Sequence, residues 1–530
     1  MHTSTLQRVT FCLVLLLAAS AHSVSAAPDS IGDFTITRFE VAGNTLLEAA
    51  EVQSIVSGFA GSNREFSDVE QAVAALESAY RKRGFSLVKV VLPEQELNEG
   101  VVHITVIETR IGQVRVTGNE SHELANIRRS LPTIAEGTVP NTDALSANLR
   151  MANANPSKWA TLQLQSGDQP GVIDAVVDVA DAKTWSAGAV LDNSGDDASG
   201  RSHITAQYQN FNVGGLDHVL TAQYTTSPEN PSRISVYGAG YHIPLYSLRS
   251  SLDFYGSYSN VDAGVVSAGL LDLTVSGAGT VFGAHFNREL LRIGSYESQL
   301  ILGFDHKSFR NDVEFMGFQL GGDITVNPLS LSYSAQWGLP AGHLNFYLTA
   351  VRNIQGGSDA SDENFTAARL GATPSYELLR YGMGFQRPLP YDWQMRLTLN
   401  GQATRDALIS GEQFGVGGAR SVRGLQERKV SNDQGFAANA EFHTPNLCRA
   451  MSGGNIRCNA LAFVDGARVS RNQTLPGESE HERVSSAGAG FRLNSGKALS
   501  LQMDYGYVIS ASDPQYRGEQ RLHALLIVDL

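Results

Sequence analysis

The chain has 530 residues, a net charge of −13 and 42% hydrophobic residues. That length exceeds one ordinary domain and allows two or three, and the acidic balance argues against nucleic acid as a partner. Past the N-terminus no run of eighteen apolar residues occurs, so no spanning helix is expected. Its 52 Gly, 22 Phe and 17 Tyr suit a closed β-sheet, where Gly relieves bends and aromatic rings sit at membrane interfaces.

Residues 1–27 read as a cleaved secretory signal: Arg8, then an apolar stretch from Val9 to Ala19. Val24 with Ala26, or Ser25 with Ala27, gives a small-residue cleavage pattern, so the mature chain is expected to begin near Ala27 or Pro28. Cys12 lies inside the apolar stretch and not directly after it, which does not fit a lipoprotein signal. Fewer than ten residues then precede the first expected strand, leaving no room for a separate N-terminal helix.

The segment RFEVAGN at 38–44 returns as QVRVTGN at 113–119, with the two Asn residues 75 positions apart. After the first copy a helix is expected from Leu46 to about Val56, and a second opens at Ser67 with Glu70 closing a capping box. Val69, Val73, Leu76 and Tyr80 share one face of it. Gly84 ends that helix, and SLVKVVLP and GVVHITVIE read as strands. The same β-α-α-β-β order follows the second copy: a strand near Val114, helices over 121–131 and 142–153, and strands at ATLQLQ and GVIDAVVDV. Two tandem α+β domains are expected, 32–109 and 110–183. They resemble polypeptide-transport-associated (POTRA) domains, and their number and position resemble those of two-partner secretion transporters. A pair of unrelated α+β domains is the alternative.

From Thr184 the helical period gives way to period-two alternation. In DWQMRLTLN, Trp393, Met395, Leu397 and Leu399 face one way while Gln394, Arg396, Thr398 and Asn400 face the other; LSLQMDYGY behaves alike, with Asp504 on its polar side. Sixteen strands are expected to start near 184, 201, 215, 233, 249, 276, 295, 324, 342, 374, 391, 433, 458, 485, 497 and 521. Every second connection is short, such as NVGG, GLPA and RPLP, and the others are long and polar. That asymmetry is what outer-membrane barrels show. The exception among the short connections is 444–457, which by parity is periplasmic. Cys448, with Cys458 at its far end, is expected to form a disulfide there, because a secreted chain reaches an oxidising compartment. Two Cys do not complete a zinc site, and HxxxH and HExxH are absent, so neither metal nor cofactor is expected.

The longest loop holds FGVGGARSVRGLQ at 414–426. Val422, Arg423 and Gly424 resemble the VRGY-type tip of the sixth extracellular loop in two-partner secretion transporters and their barrel-assembly relatives, with Leu425 in place of the aromatic residue. Downstream, Phe463 and Asp465 resemble the family's F-x-D-x-G motif, with Gly466 one position early. Ala460, Ala462 and Val464 suit lipid, which turns Phe463 and Asp465 toward the lumen. The resemblance pairs Arg423 with Asp465; a solvated Arg and an unrelated lumen Asp is the alternative. NAEFHTP at 439–445 resembles the family's N-x-E-L-x-x-P strand, and alternation turns Asn439 and Glu441 inward as candidate anchors or as wetted lumen groups. The chain ends in a strand at Leu530, where the family has an aromatic residue.

The expectation is therefore two α+β periplasmic POTRA domains followed by an all-β 16-stranded antiparallel transmembrane barrel at 184–530. The resemblance implies a haemolysin secretion and activation type of transporter and not an enzyme. Such a transporter would sit in the outer-membrane lipid after insertion by the barrel-assembly machinery, and would export an unfolded periplasmic exoprotein captured by β-augmentation. Three rivals remain: a factor that inserts other outer-membrane proteins, which more often has three or more POTRA copies; an enzyme on a POTRA-barrel platform, for which no G-x-S-x-G is present; and a diffusion porin, which the 150-residue periplasmic region disfavours.

Overall fold

In a computed structural model the protein is described over residues 34–530, apart from 196–199, 232–233, 261–263, 269–270, 276–277, 311–313, 316–317, 320–322, 450–455 and 497. The expected signal segment, and the short stretch after it where no helix was expected, lie outside the described residues. The chain divides into two compact units. One ends at Arg83 and takes in Val88–Glu108; the other takes Gly84–Leu87 and Thr109–Leu530.

The repeated Gly-Asn pair organises both α+β modules. In the first, strand Arg38–Ala42 runs parallel to Val101–Ile107, which pairs antiparallel with Lys89–Val91. In the second, Arg110–Thr117 runs parallel to Val172–Asp181, which pairs antiparallel with Lys158–Ser166. Gly43 and Gly118 end the leading strands at φ +82° and +75°, and a Cβ there would approach the Val106 and Val179 carbonyl oxygens at 2.2 and 2.4 Å. Only glycine suits that backbone approach and that φ together. Asn44 then donates to the Leu47 carbonyl at 2.8 Å, and Asn119 to that of His122 at 2.9 Å. The last strand of each module supplies a carboxylate for the N–H groups of the same turn. Glu108 accepts from Thr45 and Leu46 at 2.7 and 2.9 Å, and Asp181 accepts from Glu120, Ser121 and His122 at 2.6, 2.5 and 3.1 Å.

Helix Phe66–Lys82 buries Val69, Ala72, Leu76 and Tyr80. Its cap differs from the expected Ser67 and Glu70: Glu65 is the cap residue and exchanges hydrogen bonds with Asp68. An acidic side chain satisfies the first-turn N–H groups and also suits the positive end of the helix dipole. The preceding helix spans Ala49–Ser57 and starts later than Leu46, because the Asn44 turn occupies the intervening residues.

The barrel is a closed antiparallel sheet of sixteen strand positions, from Trp185–Asp192 to Gln520–Asp529, and each observed start lies within four residues of the expected one. The eighth position is interrupted: Ile324–Val326 and Pro328–Leu339 both pair with Tyr296–Arg310, and Pro328 brings no N–H to the ladder. The sixteenth strand closes on the first from Leu525 opposite Asp192 to Asp529 opposite Gly188. Phe254, Phe282, Leu302, Leu331, Leu348 and Met383 are exposed on the outside. Trp185, Trp337 and Trp393 lie toward the end that carries the α+β module, and Tyr237, Tyr258 and Tyr507 toward the other, as interfacial girdles do.

The second module is fastened to the first two turns of the barrel by buried polar groups. Lys158 donates to Asp217 at 2.5 Å and to Asn126 at 2.8 Å, and Tyr246 donates to Asp217 at 2.8 Å. Asn155 donates to the Phe211 carbonyl at 2.7 Å, and Asn148 to that of Tyr246 at 2.8 Å. Burial pulls the Lys158 ammonium below its ordinary value, against the opposing pull of Asp217.

Candidate functional site

The loop joining strand eleven, Gln394–Thr404, to strand twelve, Gln434–His443, does not project into solvent along its whole length. A short hairpin, Phe414–Val416 with Val430–Asn432, brings it back toward the barrel wall. Gly417 and Gly418 turn at φ +111° and +98°, where a Cβ on Gly417 would lie 2.4 Å from the Gln426 carbonyl oxygen. Val416, Val422, Leu425 and Val430 are buried with Ala437, Ala467, Val469, Val484 and Val508 from the barrel interior. Leu425, the departure from the family motif, therefore fills an apolar contact and presents no ring for stacking.

At the tip Arg423 is 2% exposed. Its Nε and Nη2 donate to the two oxygens of Asp465 at 2.8 and 2.7 Å, and its own backbone N–H adds a third bond at 3.0 Å. Nη1 donates to Glu441 at 2.7 Å. The guanidinium lies 3.4 Å over the Phe463 ring, so one face is covered by π-density while its edge is spent on carboxylates. Asn439 ties the two sides together, donating to the Ser421 carbonyl at 2.5 Å and to Asp465 at 2.8 Å. Asp465 accordingly accepts from a loop guanidinium, a loop N–H and a wall amide, which is how a buried carboxylate avoids an unpaired lone pair.

Val422, Arg423, Gly424, Asn439, Glu441, Phe463 and Asp465 are thus brought together. Cys448 and Cys458 are not part of this cluster; Cys448 follows strand twelve and Cys458 lies near the start of strand Ile456–Ser470, and the two are disulfide-bonded with Cα atoms 5.3 Å apart. Other members had weaker signals in sequence. Gly424 donates its N–H to His523 Nε2 at 3.2 Å, with the His tautomer assigned accordingly. A Cβ on Gly506 would lie 2.5 Å from the Arg423 carbonyl carbon, so this strand position must be bare for the loop to dock. Asp504, 3.7 Å from Arg423, is held by a two-bond pair with Arg492 at 2.7 Å each. Alternation in LSLQMDYGY puts Asp504 on the polar side of its strand, but nothing in the sequence says what it meets or singles out Gly506.

The root of the loop is anchored separately. Glu412 accepts from Lys307 and Arg380 at 2.8 Å each. Asp433 pairs with Arg369 through Nη1 and Nη2 and accepts the Leu408 and Asn472 N–H groups at 2.8 and 2.6 Å. Beside the tip a cavity of about 560 Å³ remains, lined by Asp192, His203, Gln207, Arg396, Arg492 and Gln502 among others. Among the described residues, no His, Cys, Asp and Glu cluster suited to a metal ion occurs.

A closed sixteen-strand barrel with a POTRA-type module and a loop tip bound inside its wall defines an outer-membrane POTRA-barrel protein, with the barrel in the outer membrane and the modules in the periplasm. Residues 171–493 match the family described as haemolysin secretion/activation protein ShlB/FhaC/HecB, and residues 34–109 match the ShlB-type POTRA domain. The chain belongs to this family of two-partner secretion transporters. It is 22% identical over 394 residues to the heme/hemopexin transporter protein HuxB of Haemophilus influenzae, covering 74% of this chain and 68% of that protein. It is 25% identical over 417 residues to the outer membrane transporter CdiB of Escherichia coli O6:K15:H31, covering 76% and 67%. In fold it is similar to a solved structure of CdiB from Escherichia coli, with TM-score 0.77, 19% identity and coverage of 97% of this chain and 93% of that one.

Proposed function

We propose that this chain exports a large partner exoprotein of adhesin or haemolysin type from the periplasm to the cell surface through its barrel, and that it has no enzymatic role. The observation that carries this reading is the loop tip fixed across a polar lumen by Arg423: a pore built for passive diffusion needs no buried, multiply bonded plug. An unfolded passenger would pair with a free sheet edge of the modules. Strand Lys158–Ser166 pairs on one side with Val172–Asp181 and stands at the border of its sheet, with Trp159 58% exposed. The chain itself would reach the membrane through the barrel-assembly machinery.

Arg423, Asp465, Glu441 and Asn439 would act as the anchor that sets the loop, with Val422 and Gly424 shaping its tip and Phe463 covering the guanidinium. Replacing Arg423 by Ala leaves Asp465 buried without its partner, a local cost of about 3–5 kcal/mol. The sheet hydrogen bonds that close the barrel are untouched, so Arg423→Ala should reach the outer membrane at normal abundance and secrete little passenger. The test measures passenger in the medium against barrel in the membrane fraction. Normal secretion by that variant at normal abundance would remove the anchor role. Arg423→Asp combined with Asp465→Arg should recover part of the loss, within the limits of a reversed geometry.

A further inference from the structure

The outward faces of strands twelve, thirteen (Ile456–Ser470), fourteen (His481–Ser495) and fifteen (Leu499–Ala511) carry a patch of small residues. Ala440, Ala462, Gly466, Ser485, Ala487 and Ala489 surround Val464 there, since Val464 pairs with Ala440 and Ala487, Ala462 with Ala489 and Gly466 with Ser485; Val464, 58% exposed, is the one larger side chain of this floor. Phe436 and Phe442 border this floor on one side and Tyr505 and Tyr507 on the other, all four exposed. The result is a shallow groove between aromatic banks. Packing does not impose it: a Cβ added at Gly466 would meet nothing within 4 Å.

At the extracellular end of the groove Arg468 and Arg483 stand directly opposite each other in register, both on the outward face. Among the described residues neither guanidinium has a hydrogen bond or ion pair. Elsewhere on the same rim the facing pair is of opposite sign, Arg352 with Glu377 at 3.2 Å. Like charges directly opposite across a ladder destabilise it, and an anion held between them would relieve that repulsion. Their height suits one source. Thr444, just beyond Trp393 in the turn region, donates its N–H to the Ala460 carbonyl at 2.9 Å, which places Ala460 at the inner girdle. The eight residues from Ala460 to Arg468 span roughly 20 Å along the axis at the usual strand rise and a tilt of about 40°, close to the outer edge of an apolar band about 25 Å tall.

We propose that this groove binds a phosphorylated, multiply acylated glycolipid of the outer leaflet, of the lipid A type. Its phosphate sits between Arg468 and Arg483, whose planar forks match phosphate oxygens, and its acyl chains lie on the small residues below. The inference rests on the outer-membrane placement and is independent of export, so it stands or falls without any secretion assay. The test uses the full chain in detergent, stripped of bound lipid, with lipid A, dephosphorylated lipid A, phosphatidylglycerol and inorganic phosphate as probes, read by native mass spectrometry and thermal shift. Lipid A should bind, and Arg468→Gln/Arg483→Gln should weaken it about thirtyfold, from two headgroup charges lost at the surface. Gly466→Leu, which fills the groove and leaves both arginines in place, should weaken lipid A while leaving the fold intact by heat-modified gel mobility. Equal lipid A binding by the wild type and the double Gln variant overturns the proposal. So does phosphatidylglycerol binding as tightly as lipid A, or inorganic phosphate alone giving the full thermal shift.

Discussion

Arg423 illustrates how much a single side chain depends on its form and not on its charge alone. Its bonds to Asp465 and Glu441 use three nitrogens in one plane over the Phe463 ring. Arg423→Lys keeps the charge but offers a compact ammonium without the fork, so secretion should fall between wild type and Arg423→Ala, measured by the same passenger-to-barrel ratio. Wild-type secretion by Lys would mean that charge alone suffices. Gly506 gives the complementary test from the wall. Gly506→Val places atoms where the Arg423 backbone lies, and the loop should leave its seat while the barrel forms. Protease added to intact cells should then cut faster at Arg428, half-buried in the docked loop; an unchanged rate would show that the tip tolerates the intrusion.

At the scale of elements, the two modules share a turn that a Gly, an Asn and a distant carboxylate build together. Gly118→Ala meets the Val179 carbonyl and adopts a left-handed φ with a Cβ, at a cost of about 1–3 kcal/mol. Hydrogen exchange should show faster opening of strands Arg110–Thr117 and Val172–Asp181 in that variant, with the barrel unaffected. The carboxylate of the same turn sets its pH dependence. Burial raises the Asp181 pKa, but the Ser121 and Glu120 N–H groups and His122 outweigh it, and the net shift is downward. A carboxylate lowered in the folded state stabilises above its unfolded value, about 3.9, and loses that contribution as pH falls through the folded value. Exchange protection at Glu120–His122 should therefore hold at pH 5 and decay only below about pH 4; loss at pH 5 to 6 would point to another group.

For the whole molecule, strand parity puts the connection after His443 and the Cys448–Cys458 disulfide on the periplasmic side and the 472–480 loop on the cell surface. Protease on intact cells should cut within 473–480, where the chain is exposed, and spare 444–455 until the periplasm is opened. Mature protein should run faster on non-reducing than on reducing gels, and loss of the Cys448–Cys458 bond should lower stability by about 2–3 kcal/mol for a loop of this size. The junction below the barrel makes a further demand. Lys158→Met leaves Asp217 buried without its cation and should loosen the second module by about 3–5 kcal/mol, seen as faster proteolysis of residues 110–183. Adding Asp217→Asn, which suits the left-handed backbone there (φ +62°), removes the stranded charge and should restore much of the resistance; no restoration would assign the effect to Asn126 and Tyr246.

Period-two alternation, turn length and the repeated Gly-Asn pair made the sixteen strands, their facing and the two modules legible in the sequence, because those features are local and each strand reports its own inward side. The fold of every strand pair follows once neighbours are hydrogen-bonded in order. What local pattern does not contain is which groups meet across the lumen. Asp465 and Asp504 look alike along their strands, yet one holds Arg423 and the other Arg492. Lys158 lies just ahead of the strand expected at ATLQLQ, and Asp217 just inside the strand expected near 215, with nothing to mark either until folding brings them together over 59 positions. Buried charge pairs of this kind are decided by tertiary structure, since the low-dielectric interior makes each partner's identity matter only after the chain has closed around it.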